Sequence, residues 1–533
     1  MNKQLMNNKI KNSILFILLG GFAAVNVAAQ NFSTAGMEQM KMQRLWAQTQ
    51  NAAGMYFDDA TMGFYFDDTN YSNLEVGYDW KKGDFQRPQE GAKETLFNVL
   101  SEGFVKLNEA YVWGAFSFTE KNMTDAGYNA SITDPYRGMP YYVIDSHLSD
   151  WRNQYYDLKF RVGTPRWFYR RWTFGLEGAY AASIAAKQRD PRVDSRYYTL
   201  KFMPGVTFRL NKQHRLGLSL KYASMKEDSR MDREDSNTDH DYYIMYGLGV
   251  AVKGIGAGRT ADYYGDRWGA ALQYNYQTSL LNFLLEAAYD MKAETVTQNY
   301  LSTPKKDAAV KEQQAKLTAT LYKKAEYYSH YLKGCYTYRH IDGIQFLSQR
   351  DNSELQNGWV ELFRSVRSTY KTQYAEVDYA LMKNRSDVEY NWKLNVTAAY
   401  MNQSDEYLLP RSIKQAENLF LTLAGKKNFA LGSKLNRRFL LDLHATYKKN
   451  LGGEYLYGGT HADYITVTEL ETREQEYLMS DYWRFGLSMV YSQQIKANSK
   501  VNLFAKAAAD FTTTSDYGYN NRTNLSFSVG CNF

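Results

Sequence analysis

Cysteine, proline and long apolar runs are all in short supply. Two cysteines in 533 residues, Cys335 and Cys531, exclude the disulfide framework of a small secreted domain, and both read as small strand residues. With eight prolines there is no proline-rich linker, and no internal repeat or low-complexity tract marks a second domain. After residue 30 no apolar stretch is long enough to span a bilayer as a helix. The best, LLNFLLEAAY at 280–289, is short and broken by Asn282 and Glu286, which excludes a helical membrane bundle. Charge of one sign is also lacking. The net +7 includes Lys3, Lys9 and Lys11 of the first 30 residues, so 7 − 3 leaves +4, and nothing in this balance points to nucleic acid. No phosphate-cradling glycine loop, zinc spacing or dinucleotide fingerprint occurs, so no cofactor is expected.

What is present begins with an export signal. Three lysines precede the apolar run Ile14–Val25, and Val27-Ala28-Ala29 supplies the small residues of a cleavage site, so residues 1–29 read as a signal peptide. No cysteine follows that site, which argues against lipoprotein processing.

Most of the remaining sequence alternates with period two. In NLSFSVGCNF (524–533), Leu525, Phe527, Val529, Cys531 and Phe533 share one face, and Asn524, Ser526, Ser528, Gly530 and Asn532 the other. WTFGLEGAY (172–180), HRLGLSLKY (214–222), NWKLNVTAAY (391–400), RFLLDLHATYK (438–448) and VNLFAKAAADF (501–511) repeat the pattern. Their polar rows carry full charges in mid-strand: Glu177, Arg215, Lys221, Lys393, Asp442, His444, Lys506 and Asp510. A dry sandwich core does not tolerate these charges, whereas a hydrated lumen does. Several apolar rows start or end on Trp or Tyr, as the interfacial girdles of a membrane barrel require, and the 16% aromatic content fits the same reading. The mean hydropathy of −0.57 does not discriminate, because a barrel wall shows lipid only every second residue.

Connection lengths supply a topology. Short turns are read at LNKQH (210–214), QTS (277–279), KNRSD (383–387), LNRR (435–438) and KANS (496–499). Long polar connections are expected at 121–150, 224–265, 291–312, 340–360 and 450–476. The expected fold is an all-β transmembrane antiparallel β-barrel of about 18 strands, in a range of about 14 to 18, with its short turns periplasmic. The segment 239–253 would break the strand parity and is assigned to an extracellular hairpin or strand extension. Residues 30–70 are expected to form a plug, with the barrel over 71–533. Within 37–55, Met37, Met40, Leu45 and Trp46 recur at helical spacing, Gly54 reads as a helix stop, and Met40, Leu45, Trp46 and Asn51 are the plug candidates.

RLWAQTQNAAGM near the mature start, the tyrosine-rich strands and the terminal Phe533 together resemble an uncharacterised family of outer-membrane β-barrels from Bacteroidota-type bacteria, over essentially the whole mature chain. Asn51-Ala52-Ala53-Gly54 is more distantly similar to the Asn-Pro-Ala-type start of long-chain fatty-acid transporters, with Ala52 where that pattern favours proline. The second resemblance implies an N-terminal segment that plugs the barrel. Phe533 resembles the terminal aromatic read by the barrel-assembly machinery.

Functionally the leading expectation is a channel, or an accessory barrel of a nutrient-uptake complex with a TonB-dependent transporter or surface lipoproteins. The rival is a structural or binding barrel with a closed lumen and partner-binding loops. An enzyme is not expected: His444 reads as a lumen histidine in a hydrogen-bond network, and no nucleophile can be assigned beside it. The acidic stretch 226–241 (KEDSRMDREDSNTDHD) offers oxygen ligands to a hard cation but lacks the glycine-placed spacing of a calcium loop, so it is read as a solvated loop. The substrate, the oligomeric state and whether the lumen is open or plugged are not legible.

Overall fold

The computed structural model describes residues 33–59, 70–256, 258–300, 303–351, 358–432, 435–497 and 499–533. The expected signal peptide lies outside the described residues. Among those residues no helix is long and apolar enough to cross a membrane.

The strands, in chain order, are β1 (Tyr71–Gly83), β2 (Lys93–Leu107), β3 (Ala110–Ala126), β4 (Val143–Ile144), β5 (Ser149–Gly163), β6 (Trp172–Lys187), β7 (Arg192–Arg209), β8 (His214–Asp232), β9 (Asp241–Gly247), β10 (Val250–Ile255) and β11 (Arg259–Gln277). They continue as β12 (Leu281–Tyr300), β13 (Thr303–Lys324), β14 (Tyr328–Asp351), β15 (Gly358–Asn384), β16 (Tyr390–Tyr407), β17 (Ser412–Gly432), β18 (Arg437–Leu456), β19 (Tyr482–Gln494), β20 (Asn502–Thr513) and β21 (Asn521–Asn532). All but β4, β9 and β10 build the wall, an 18-stranded antiparallel sheet that closes when β21 pairs with β1. Closure leaves no edge, as a sheet in lipid requires.

The register places the apolar rows outside. Leu74, Val76 and Tyr78 lie opposite Cys531, Val529 and Phe527 on the outer face, and Leu525, Phe527 and Val529 are exposed there. The inward rows hold the charges. The segment 239–253 is a hairpin, β9–β10, that adds β4 as a third strand in a separate small sheet, so the wall keeps its even count.

Two expected loops are paired strand instead. Residues 291–300 and 303–312 continue the β12–β13 pair, with Met291 opposite Gln313 and Glu294 opposite Val310; 340–351 and 358–360 continue β14–β15, with His340 opposite Lys371 and Ser348 opposite Glu361. Beyond the apolar belt a strand no longer needs an apolar row, so the backbone ladder persists after the amphipathic signal has faded.

Residues 33–59 lie inside the barrel at the end where the short turns are. Helix α1 (Thr34–Gln43) starts at the N-cap Ser33, whose Oγ accepts from Gly36 N at 3.2 Å. Two 3-10 turns follow, Trp46–Gln48 and Ala52–Gly54, and then helix α2 (Met55–Asp59). Met40, Leu45, Trp46, Met55 and Phe57 form one buried cluster with Tyr71, Phe104, Tyr111, Tyr322 and Tyr390 of the wall. A fully buried side chain of the Leu, Phe or Met kind contributes about 1.5–3 kcal/mol. The first helix therefore ends at Gln43, well before the expected stop at Gly54, which is followed by more helix.

At the long-loop end, 127–148, the β9–β10 hairpin and 457–481, which carries helix α3 (Thr472–Met479), fold inward over the lumen. Tyr128, Ile144, Tyr243, Met245 and Leu470 form their shared core.

Candidate functional site

The plug is seated in a strip of wall that has no side chains. Gly163, Gly175 and Gly205 lie on β5, β6 and β7, each directly opposite the next, and Gly217 follows on β8 opposite Thr207. A Cβ at Gly163 would stand 3.0 Å from Ala52 O, at Gly175 2.2 Å from Ala53 N, at Gly205 2.3 Å from Asn51 Oδ1 and at Gly217 3.0 Å from Asn51 Nδ2. Two of these strands thus admit the backbone of Ala52–Ala53, and the next two the side-chain amide of Asn51, at distances that favour glycine. Asn51, fully buried, uses both ends of its amide: Nδ2 donates to Val206 O (3.1 Å), Leu218 O (3.3 Å) and Gln273 Oε1 (3.1 Å), while Oδ1 accepts from Ala53 N (3.0 Å). Thr173 Oγ1 donates to Ala53 O at 2.9 Å. Gly54 serves a close approach, since a Cβ there would meet Trp46 Cε3 at 2.1 Å.

Charged groups clamp the rest of the segment. Arg161 donates to Ala47 O (2.7 Å) and Thr49 O (3.1 Å), and Glu177 orients it by accepting from its Nε at 2.7 Å while also accepting from Lys201 at 2.7 Å. Glu286 accepts from Gln50 N (2.8 Å) and Gln273 Nε2 (2.9 Å). Asp58 accepts from the backbone N–H groups of Trp46 (2.9 Å) and Ala47 (2.7 Å). On α1, Glu38 receives Lys393 (2.9 Å), Lys426 (3.2 Å) and the Tyr390 hydroxyl (2.8 Å). Burial alone would raise the Glu38 carboxyl, but Lys426 and Lys393 outweigh it and hold the group at about 2.

The sequence-derived lumen residues sort themselves around this arrangement. Glu177 and Lys393 reach the plug as described. Asp442 pairs with Lys426 at 3.1 Å behind Glu38, and Arg215 lies 4.4 Å from the Phe57 ring and donates to Asn275 Oδ1 at 2.9 Å. Lys221 pairs with Asp290 at 2.9 Å. His444 Nε2 lies 3.0 Å from Asp510 Oδ1, which Arg484 also approaches at 3.2 Å; Asp442 is not its partner. Lys506, on the inward row of Phe504 and Asp510, makes no ion pair among the described residues. Met40, Leu45, Trp46 and Asn51 are all buried in the plug. Sequence reasoning missed Arg161, Glu286, Glu38 and the glycine strip. The strip had a signal, a glycine on the polar row near a short turn in HRLGLSLKY and WTFGLEGAY.

The opposite end is sealed by different chemistry. Arg137, on the loop before β4, ion-pairs with Glu227 and with Glu294 (2.8 Å), and Thr133 N donates to Glu227 Oε1 at 2.6 Å. Glu312 gathers Arg267 (3.0 Å), Lys292 (3.2 Å) and Arg339 (3.1 Å). The acidic stretch 226–241 is therefore not one solvated loop. Glu227 sits on an inward row of β8, fully buried, and only residues 233–240 connect β8 to β9. Among the described residues no group of His, Cys, Asp or Glu side chains is arranged to hold a metal ion.

The chain is similar at low identity to several solved outer-membrane proteins. BauA, the ferric preacinetobactin receptor of Acinetobacter baumannii, aligns with a TM-score of 0.40 and 8% identity over 86% of this chain and 80% of that one. The copper transporter OprC gives 0.40 and 8% over 87% and 80%, and the ferric citrate transporter FecA 0.37 and 7% over 87% and 78%. No curated protein matches the sequence. The family of unknown function DUF6850 matches residues 60–533, which include every strand of the wall, and the chain belongs to that family.

Proposed function

We propose that the protein is an outer-membrane barrel that passes solute through its lumen, with residues 33–59 as the gate at the periplasmic mouth. The observation that carries this reading is the glycine strip. Beside the apolar cluster that packs Met40, Trp46 and Phe57, four strands give up their side chains, two to the backbone of Ala52–Ala53 and two to the amide of Asn51, a shaped seat that mere filling would not need. Most polar contacts of the seated segment run through backbone groups and single side chains, which water can replace when it leaves. The apolar outer rows and the absence of an edge support residence in lipid. Within a nutrient-uptake complex, the long-loop end would face a TonB-dependent transporter or a surface lipoprotein. The reading assigns His444 and Asp510 to the lumen's ion pairing rather than to catalysis.

The test is conductance in planar bilayers of the mature protein and of a variant lacking 33–59, each first checked for a heat-modifiable folded barrel. The expected result is small, intermittent conductance for the parent and a large steady one for the deletion. Equal, negligible conductance in both would replace the gate with the rival reading, a closed barrel whose loops bind a partner.

A further inference from the structure

Between Arg137 of the inward-folded loop and the inward rows of β7, β8, β11 and β12 lies a cavity of about 160 Å³, well above the roughly 10–15 Å³ that one water needs. Its charged lining has one sign: Arg137, Arg267 and Lys292 reach it, and no carboxylate does. Asp134 and Asp157 line a neighbouring cavity that shares Arg137 and Tyr197. Ala223, directly opposite Arg267, leaves room where a longer side chain would stand. Arg267 and Lys292 are themselves directly opposite each other on β11 and β12, and like charges so placed repel. Glu312 is shared between them (3.0 and 3.2 Å) and also takes Arg339 (3.1 Å), while Glu294 is shared between Lys292 (3.0 Å) and Arg137 (2.8 Å). The side chains of Glu227, Glu294 and Glu312 are 0, 0 and 2% exposed, whereas Arg137 keeps 11% and Arg267 24%. Arg267 spends Nη2 on Glu312; its Nε and Nη1 make no hydrogen bond to any described residue, and neither is shut off from solvent.

We propose that this cavity binds one small oxyanion, the carboxylate or phosphate group of a solute, with Arg267 as its principal donor and Lys292 and Arg137 beside it. The three glutamates are closed off and anchor the cations, so what the cavity presents to a ligand is positive charge. Arg267 donates through a nitrogen that Glu312 does not use, and a hydrogen bond between two charged groups is about twice as strong as one between neutral groups. A guanidinium suits the oxygens of a carboxylate or phosphate and sheds its hydration more readily than an ammonium. A negative charge set between Arg267 and Lys292 also relieves the repulsion of that opposed pair. A cationic ligand would meet the same repulsion with no carboxylate to offset it. Binding here is read without conductance, so the inference goes beyond the gate and does not rest on it.

The experiment uses the purified mature protein in dodecyl maltoside at low salt, where screening is weak. Sodium phosphate and sodium acetate are titrated by calorimetry, with D-glucose and choline as neutral and cationic controls. The expected result is saturable binding of phosphate, of acetate or of both, the two arms assigning the group, and no binding of glucose or choline. Arg267→Gln should weaken it about tenfold or more in protein that remains heat-modifiable. Ala223→Leu, which fills the cavity and leaves every charge in place, should do the same and serves if the first variant does not fold. Absence of saturable binding of either anion, binding of choline or glucose in their place, or anion binding unchanged in the variants that fold would each overturn the proposal.

Discussion

Gly175 and Gly205 stand directly opposite each other on β6 and β7, and the space their side chains would fill holds Ala53 and Asn51 of the plug. The wall and the plug are thus complementary at the level of single carbon atoms, and that complementarity can be broken one methyl at a time.

Gly175→Ala should unseat the plug, because its Cβ would lie 2.2 Å from a backbone nitrogen that cannot rotate away. Overpacking of this kind costs about 1–3 kcal/mol. Arg44, buried in the parent, should become a tryptic site. Gly334→Ala on β14, where a Cβ meets nothing within 4 Å, is the control and should leave Arg44 protected. Equal protection in both variants would show that the strip does not hold the plug.

Glu38 should make plug docking acid-sensitive in one direction. Its carboxyl is held at about 2 against an ordinary value of 4.5. A group lowered in the folded state contributes stability that is fully present above the ordinary value and disappears as pH falls through the folded one. The melting-temperature gap between the parent and Glu38→Gln should therefore be constant from neutral pH to about 5 and shrink between 4.5 and about 2. A gap that does not change over that window would mean that Lys393 and Lys426 do not act through the Glu38 charge.

Phe533 pairs with Ser72 through its backbone, with Phe533 N donating to Ser72 O at 3.0 Å and Ser72 N to Phe533 O at 2.6 Å. Phe533→Ala keeps both bonds and removes only the ring, a burial loss of about 1.5–3 kcal/mol. If the ring is also read by the assembly machinery, the amount of folded barrel per cell should fall far more than the melting temperature of the protein that does arrive. Normal yield with a lowered melting temperature would leave Phe533 as a packing residue.

How much of this was legible in the sequence depended on whether a residue's role had a period. The row of Leu525, Phe527 and Val529 faces outward as read, the five short turns join paired strands, and 239–253 stays out of the wall, because alternation and turn length are local. The paired strands at 291–300, 303–312, 340–351 and 358–360 were hidden, since above the apolar belt both faces are polar and the period-two contrast vanishes. Glu227 looked solvated among Asp228, Asp232 and Glu234, yet strand parity turned it inward onto Arg137. The glycine strip demanded more than a period. Gly163, Gly175, Gly205 and Gly217 become one feature only after four strands are aligned, and a single chain does not display its register.

The pairing of β1 with β21 has a consequence for how the molecule is made. These two strands lie at opposite ends of the wall sequence, so until β21 arrives the sheet is an open ribbon with two unsatisfied edges. The segment that seats against Gly163–Gly217 precedes β1, and the glycine strip that receives it is complete once β8 is in place. The stopper has this part of its berth while eleven wall strands are still to be laid, so the vessel is corked before it is closed.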